Sequence, residues 1–136
     1  MNRFRPGNEI ELLRSGAAFF PALVAAVDAA EREVWLETYI FADDPAGRAV
    51  AEALVRAATR GVTVRVLVDG WGAKHYLTKR LERQLVAGGV TLLKHRPEVQ
   101  PWHFRSHRLR RLHRKLCHVD GRIAFHDQHA HVVPRF

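Results

Sequence analysis

The chain has 136 residues, 47% of them hydrophobic, which suits one domain with a buried core and excludes a disordered chain. Its 22 Lys and Arg outnumber 14 Asp and Glu, and the net charge of +8 favours anionic partners such as phosphate, nucleic acid or acidic lipid headgroups. The single cysteine, Cys117, excludes an intrachain disulfide, and no apolar run approaches the ~20 residues of a membrane-spanning helix.

The first half of the sequence alternates predicted strands and helices. A short strand candidate covers residues 9–13. Ser15 can then cap a helix, because a serine hydroxyl accepts backbone N–H groups and apolar residues recur at helical spacing as far as Val27. Residues 33–41 are rich in β-formers and predict a strand. Asp44 and Pro45 begin a second helix, which Gly61 ends.

The second half continues this alternation. Residues 62–69 predict a strand with valines at every second position, and residues 70–72 predict a turn. A third helix carries Leu77, Leu81 and Leu85 and ends at a glycine pair. Two further strands are predicted at residues 90–94 and 116–125, the second with a kink or turn at Asp120 and Gly121.

The predicted fold class is therefore α/β, with a mixed, mainly parallel sheet. Strands that alternate with helices favour crossover connections, and right-handed crossovers predict helices on both faces of the sheet. Residues 95–112 contain two prolines and many basic residues and predict a long loop. Residues 126–136 show neither a helical nor a strand pattern.

The chemically informative segment contains His113, Lys115 and Asp120. On a strand, residues two apart point to the same face, so the imidazole of His113 and the ammonium of Lys115 would meet one target. Phosphate suits this pair, because lysine supplies positive charge for the oxygens and histidine can attack phosphorus or transfer a proton. Asp120 follows at the turn.

This spacing, H-x-K-x-x-x-x-D, resembles the signature of the phospholipase D superfamily. Other segments resemble the N-terminal half of bacterial cardiolipin synthases, in particular the form without transmembrane helices. These segments are residues 8–16, 36–41, 43–44, 57–62 and 68–72. The resemblance covers residues 4–125 and predicts a phospholipase D-like fold.

The resemblance also implies a reaction. One histidine of such enzymes forms a phosphohistidine intermediate, and a second protonates the leaving alcohol. By position, His113 would be the nucleophile and Lys115 would bind the phosphate, whereas Asp120 would organise its turn. Neither a metal nor an organic cofactor is required. The implied partners are phosphatidylglycerol or a similar phospholipid, an anionic membrane surface, and a second phospholipase D half or a homodimer. The expected location is cytoplasmic, peripheral at the inner face of the cell membrane.

The sequence departs from the family pattern at two points. It contains one H-x-K pair, and Phe125 is followed by His126 and Asp127 rather than by the small-residue turn and asparagine usual in the family. These departures predict that residues 1–125 are a truncated N-terminal catalytic domain, inactive alone. They also predict that residues 126–136 are an atypical tail from a shifted or prematurely ended reading frame.

Two other functions remain open from the residues alone. One is a one-motif homodimeric phosphodiesterase or nuclease of the same superfamily, although the lipid-synthase segments disfavour nucleic acid as a partner. The other is a non-catalytic basic domain in which residues 103–115 bind an anionic surface. Asp69, at the end of a predicted strand, could belong to a site. It could equally make a structural hydrogen bond within the turn that follows.

Overall fold

The computed structural model describes residues 7–96, 112, 114–126 and 130–134, the last segment by its backbone alone. Four helices are formed: α1 (Gly16–Asp28), α2 (Pro45–Thr59), α3 (Gly70–Tyr76) and α4 (Lys79–Ala87). Seven strands are formed: β1 (Asn8–Leu12), β2 (Glu33–Thr38), β3 (Thr63–Asp69), β4 (Thr91–His95), β5 (Leu116–Val119), β6 (Ile123–His126) and β7 (Ala130–Pro134). No helix in these residues is both long and apolar enough to cross a bilayer.

All seven strands belong to one mixed sheet, in the order β1-β7-β6-β5-β2-β3-β4. The α/β class is confirmed. The parallel share is smaller than predicted, because only β2–β3 and β3–β4 pair in parallel. The other four pairings, β1–β7, β2–β5, β5–β6 and β6–β7, are antiparallel. Short connections after β5 and β6 allow only antiparallel neighbours, since a parallel connection needs a long crossover.

The three longer helices pack on one face of the sheet rather than on both. Their buried residues join the alternating residues Val34, Val64, Val66 and Val68 in a single core. On the opposite face Trp35 and Leu67 are only half-buried and Arg65 is exposed. The strands β2, β3 and β4 are neighbours in the sheet in the same order as in the chain. Because successive right-handed crossovers that move in one direction across a sheet place their helices on the same side, the helices share one face.

Local hydrogen bonds explain where the helices and strands begin and end. β2 stops at Thr38, three residues earlier than predicted, where the Thr38 hydroxyl donates to the carbonyl of Ile40 and turns the chain. Asp44 caps α2 as expected by accepting from the N–H of Gly47 at 2.7 Å. Ser15 precedes α1 in extended conformation, but its side chain makes no capping hydrogen bond within the described residues.

Two predictions of irregular structure are wrong. Residues 70–72 begin helix α3 instead of forming a turn, because the Asp69 carboxylate accepts the free N–H groups of its first residues. Part of the tail, predicted to lack strand character, forms β7, whose backbone pairs with both β1 and β6. The kink predicted between Leu116 and Phe125 is confirmed as the turn that separates β5 from β6. Most of the loop predicted at 95–112 lies outside the described residues.

Candidate functional site

The motif strand β5 lies inside the sheet, between β2 and β6. Its register is set by pairing of Leu116 with Glu37 and of Cys117 with Leu36. Cys117 points into the core, and burial raises the pKa of its thiol to about 12. The thiol is therefore protonated at neutral pH, and since the thiolate is the nucleophilic form, Cys117 is a packing residue.

Lys115 lies immediately before β5 and lines a cavity of about 360 Å³. The cavity is formed by α1, the end of β2, the start of α2 and the first residues of β5. Most of its lining is apolar and includes Phe19, Leu23, Phe41 and Phe125. Lys115, the lysine of the motif, therefore lies beside an apolar cavity that is large enough for a small ligand.

The loop after β2 forms part of the cavity wall and is held in place by Asp43. The Asp43 carboxylate accepts hydrogen bonds from the Thr78 hydroxyl at 2.6 Å and from Arg80 and Arg48 at 2.9 and 3.1 Å. The Thr78 hydrogen bond is the main cause that holds the pKa of Asp43 below its usual value, with the two guanidinium groups adding to it. These contacts fasten the loop to α2 and to the start of α4.

His113 lies outside the described residues, so its predicted role as nucleophile stays a prediction. Both of its sequence neighbours are described. The N–H of Leu112 donates to the Oδ2 atom of Asp69 at 2.9 Å. The Arg114 guanidinium lies 3.7 Å from Oε2 of Glu37, whose Oε1 accepts from the indole of Trp35 at 2.9 Å.

Asp120 lies at the opposite end of β5 from Lys115. Asp120 is five positions after Lys115, which corresponds to roughly 16 Å of extended chain at ~3.3 Å per residue. The Asp120 carboxylate instead accepts hydrogen bonds from the backbone N–H groups of Glu31, Arg32 and Glu33 at 2.8 to 2.9 Å. The structure thus separates Asp120 from the end of the strand that carries Lys115.

The protonation of Asp120 follows from these contacts. Burial by itself would raise the pKa of Asp120. The hydrogen bonds from the Glu31, Glu33 and Arg32 amides, together with the Arg32 charge, outweigh burial and hold that pKa below its usual value. Asp120 has a positive φ of 54°, a conformation in which aspartate is tolerated better than most residues. Its observed contacts are those of a residue that organises the turn.

Two acidic residues near the motif were missed or only partly understood from the sequence. Glu37 is part of a predicted strand, and nothing in its local pattern indicates a contact with Arg114. Asp69 makes the predicted hydrogen bonds within its turn, to the N–H groups of Trp71 and Gly72 at 2.9 and 3.2 Å. Its additional bond to Leu112 joins residues 43 positions apart, which no local pattern reveals.

Comparison with known proteins decides the family. The family model described as "Cardiolipin synthase, PLD-like domain" matches residues 23–126, more than half of the chain. The chain belongs to this family. The predicted resemblance to cardiolipin synthases is confirmed, and Lys115 and Asp120 lie within the matched segment of this cardiolipin synthase-like domain.

Relatives of known name agree with this assignment. The cardiolipin synthase-like domain is 38% identical over 122 residues to cardiolipin synthase B of Escherichia coli strain K12, a match that covers 90% of this chain. It is 36% identical over 122 residues to cardiolipin synthase A of Pseudomonas putida. The chain spans only 29% and 25% of the length of these two relatives.

Solved structures confirm the fold. Nuc from Salmonella typhimurium, a phospholipase D family member, superposes with a TM-score of 0.70 at 18% identity, over 95% of this chain and 84% of Nuc. NucT from Helicobacter pylori gives a TM-score of 0.63 at 14% identity, over 92% of this chain and 82% of NucT. At such low identities the likeness extends to the fold of the cardiolipin synthase-like domain and no further.

Proposed function

We propose that this cardiolipin synthase-like domain supplies one half of a phosphatidyl-transfer site that acts on phospholipid phosphodiesters. The observation that carries the proposal is the position of Lys115 beside an apolar cavity. A phospholipid combines an anionic phosphate with apolar chains, so it matches a cationic side chain adjoining an apolar space. A polynucleotide has phosphates but no comparable aliphatic group.

The proposed reaction uses His113 as the nucleophile. An imidazole nitrogen attacks the phosphorus of phosphatidylglycerol, the bond from phosphorus to the glycerol oxygen breaks, and the leaving glycerol oxygen takes a proton from a second histidine. The hydroxyl of an acceptor phosphatidylglycerol then attacks the phosphohistidine and gives its proton to that second histidine. The products are cardiolipin and glycerol, while Lys115 stabilises the charge on the phosphate oxygens.

The second histidine would come from a second phospholipase D half or from another copy of the chain. This sequence contains one H-x-K pair, and its relatives are more than three times as long. General acid–base help is typically worth 10²–10⁴-fold in rate. The proposal therefore includes the expectation that this chain alone has no appreciable turnover. Residues 1–125 would act as a catalytic half-domain, and 126–136 would be a tail of atypical sequence whose residues 130–134 pair in the same sheet as β7.

The proposed place of action is the cytoplasmic face of an anionic membrane, with peripheral attachment. The net charge of +8 and the basic run at residues 103–115 support attraction to acidic lipids, since each basic residue near such a surface contributes about 1 kcal/mol. The wholly non-catalytic alternative would retain this attraction without the chemistry of His113.

A ligand titration tests the substrate class. Purified chain is titrated with dihexanoyl phosphatidylglycerol, with its deacylated headgroup and with a dinucleotide, and binding is followed by NMR. We expect the acylated lipid to bind tightest, and Lys115→Ala to weaken that binding about tenfold, equal to about 1.4 kcal/mol. Lys79→Ala is the matched control, because Lys79 pairs with Glu82 on the exposed side of α4.

Two outcomes would overturn the lipid assignment. Equal affinity for the lipid and its deacylated headgroup would show that the apolar cavity makes no contribution. Tighter binding of the dinucleotide, with the same loss in Lys115→Ala, would favour the nuclease function instead.

A further inference from the structure

We infer that Asp69 is a positioning residue, which fixes the approach to the motif strand through the backbone of Leu112. Asp69 is completely buried at the end of β3. Its Oδ1 atom accepts from the N–H groups of Trp71 and Gly72, and its Oδ2 atom accepts from the N–H of Leu112. One carboxylate therefore joins the start of α3 to the residue directly before His113.

The bond to Leu112 holds the residue that directly precedes His113 in the sequence. Consecutive Cα atoms are 3.8 Å apart, so a residue next to a fixed position has little freedom of placement. On the other side of the pair, Leu116 is fixed by its pairing with Glu37 in the sheet. The two residues that flank the H-x-K pair in sequence are thus both attached, Leu112 by Asp69 and Leu116 by β2.

The chemistry of a carboxylate is necessary for this double attachment. An ionised carboxylate only accepts hydrogen bonds, and its two oxygens can serve donors on two sides at once. Asparagine has nearly the same shape but one acceptor oxygen. In Asp69→Asn that oxygen can still accept from the start of α3, whereas the amide NH₂ would face the N–H of Leu112, donor against donor. The substitution removes the Leu112 attachment with little change in packing volume.

A measurement on the unaltered protein tests the bond itself. In ¹⁵N,¹³C-labelled chain, a scalar coupling across the hydrogen bond should connect the amide nitrogen of Leu112 with Cγ of Asp69. The Leu112 amide should also exchange slowly with solvent. Absence of the coupling together with fast exchange at Leu112 would overturn the inference, whatever happens in any variant.

The variant then separates positioning from general stability. In Asp69→Asn, exchange at Leu112 should be at least tenfold faster, while core amides such as those of Leu54 and Val66 keep their protection. Asp28→Asn is the matched control, because Asp28 forms an ion pair with Arg56 at the surface. Unchanged exchange at Leu112 would contradict the inference, and an equal loss of protection throughout the core would assign Asp69 to overall stability.

The consequence for catalysis rests on the proposed function. With a phosphatidyl donor whose leaving group is p-nitrophenolate, Asp69→Asn should lower the single-turnover rate about 10²-fold, since a displacement of 1 Å at a reacting group can cost that much. The affinity for dihexanoyl phosphatidylglycerol should stay the same. If the unaltered chain releases no p-nitrophenolate, the proposed function fails, whereas the Leu112 coupling still decides the positioning inference. A normal single-turnover rate in Asp69→Asn would contradict positioning.

Discussion

Asp120 is a motif residue whose carboxylate binds backbone N–H groups of a distant part of the chain. The motif spacing predicted a group of three functional residues, and the structure places Lys115 and Asp120 at opposite ends of β5. Lys115 and His113 could be proposed from the sequence because their chemical types suit the proposed phosphate chemistry. The partners of Asp120 and Asp69 are distant in the chain, so no local pattern predicts them.

The carboxylate of Asp120 should stabilise the fold through its three backbone hydrogen bonds. We expect Asp120→Asn to lower the free energy of unfolding by about 2 kcal/mol, because hydrogen bonds to charged groups are each worth about 1.5–3 kcal/mol and the amide keeps part of them. Asp120→Ala should cost about 1 kcal/mol more, since alanine is less tolerant of a positive φ. Urea denaturation measures both values, and an Asp120→Asn variant as stable as the wild type would contradict the assignment.

The stabilisation by Asp120 should depend on pH. Its pKa is lowered in the folded state, so its contribution is present above the unfolded pKa of about 3.9 and is lost as the pH falls through the folded value. The stability difference between wild type and Asp120→Asn should therefore be constant from pH 7 to 5 and should shrink at pH 3. A difference that stays the same at pH 3 would exclude a lowered pKa at this residue.

Sequence patterns predicted most of the helices and strands, and the errors have physical causes. Helices α1, α2 and α4 follow from apolar periodicity, and β3 follows from its alternating valines. The start of α3 was read as a turn because its glycines are common in turns. Here Gly72 is present for a different reason: a Cβ at this position would collide with the carbonyl oxygen of Tyr39.

Gly72 therefore fixes the distance between α3 and the loop after β2. We expect Gly72→Ala to lower the free energy of unfolding by about 1–3 kcal/mol, because the added methyl group forces the backbone apart. Gly16→Ala is a suitable control, since a Cβ there would meet Phe20 at an ordinary distance of 3.5 Å in the first turn of α1. Thermal unfolding compares them, and equal melting temperatures for the two variants would show that the contact with Tyr39 is loose.

The whole molecule combines a confirmed family with a proposed half-site. The α/β class and the relation to cardiolipin synthases were predictable, because motif and context agreed over most of the chain. The side of the sheet that the helices cover was not, because it depends on the direction in which successive strands are added. The strand in residues 130–134 was also missed, since its pairing with β1 spans nearly the full chain.

We predict membrane attraction as a property of the whole charged surface, strongest at residues 103–115. We expect flotation with phosphatidylglycerol-containing vesicles, weakening as salt rises because exposed charges are screened over about 8 Å at physiological ionic strength. The triple variant Arg108→Ala/Arg110→Ala/Arg111→Ala should bind markedly less. The control Lys74→Ala/Lys79→Ala/Arg83→Ala removes the same charge from α3 and α4. Equal losses in the two variants would show that net charge, and not residues 103–115, directs binding.

We propose His113 as the nucleophile of a half-site in which the group that protonates the leaving alcohol comes from a second half or another copy of the chain. Phosphatidyl-p-nitrophenol tests it directly, because p-nitrophenolate leaves without a proton. We expect a burst of at most one p-nitrophenolate per chain, phosphate attached to His113 by mass spectrometry, and no turnover of phosphatidylglycerol. The burst should vanish in His113→Ala and persist in His75→Ala, an exposed histidine on α3. A burst that survives His113→Ala, or multiple turnovers of phosphatidylglycerol by the unaltered chain, would contradict the account.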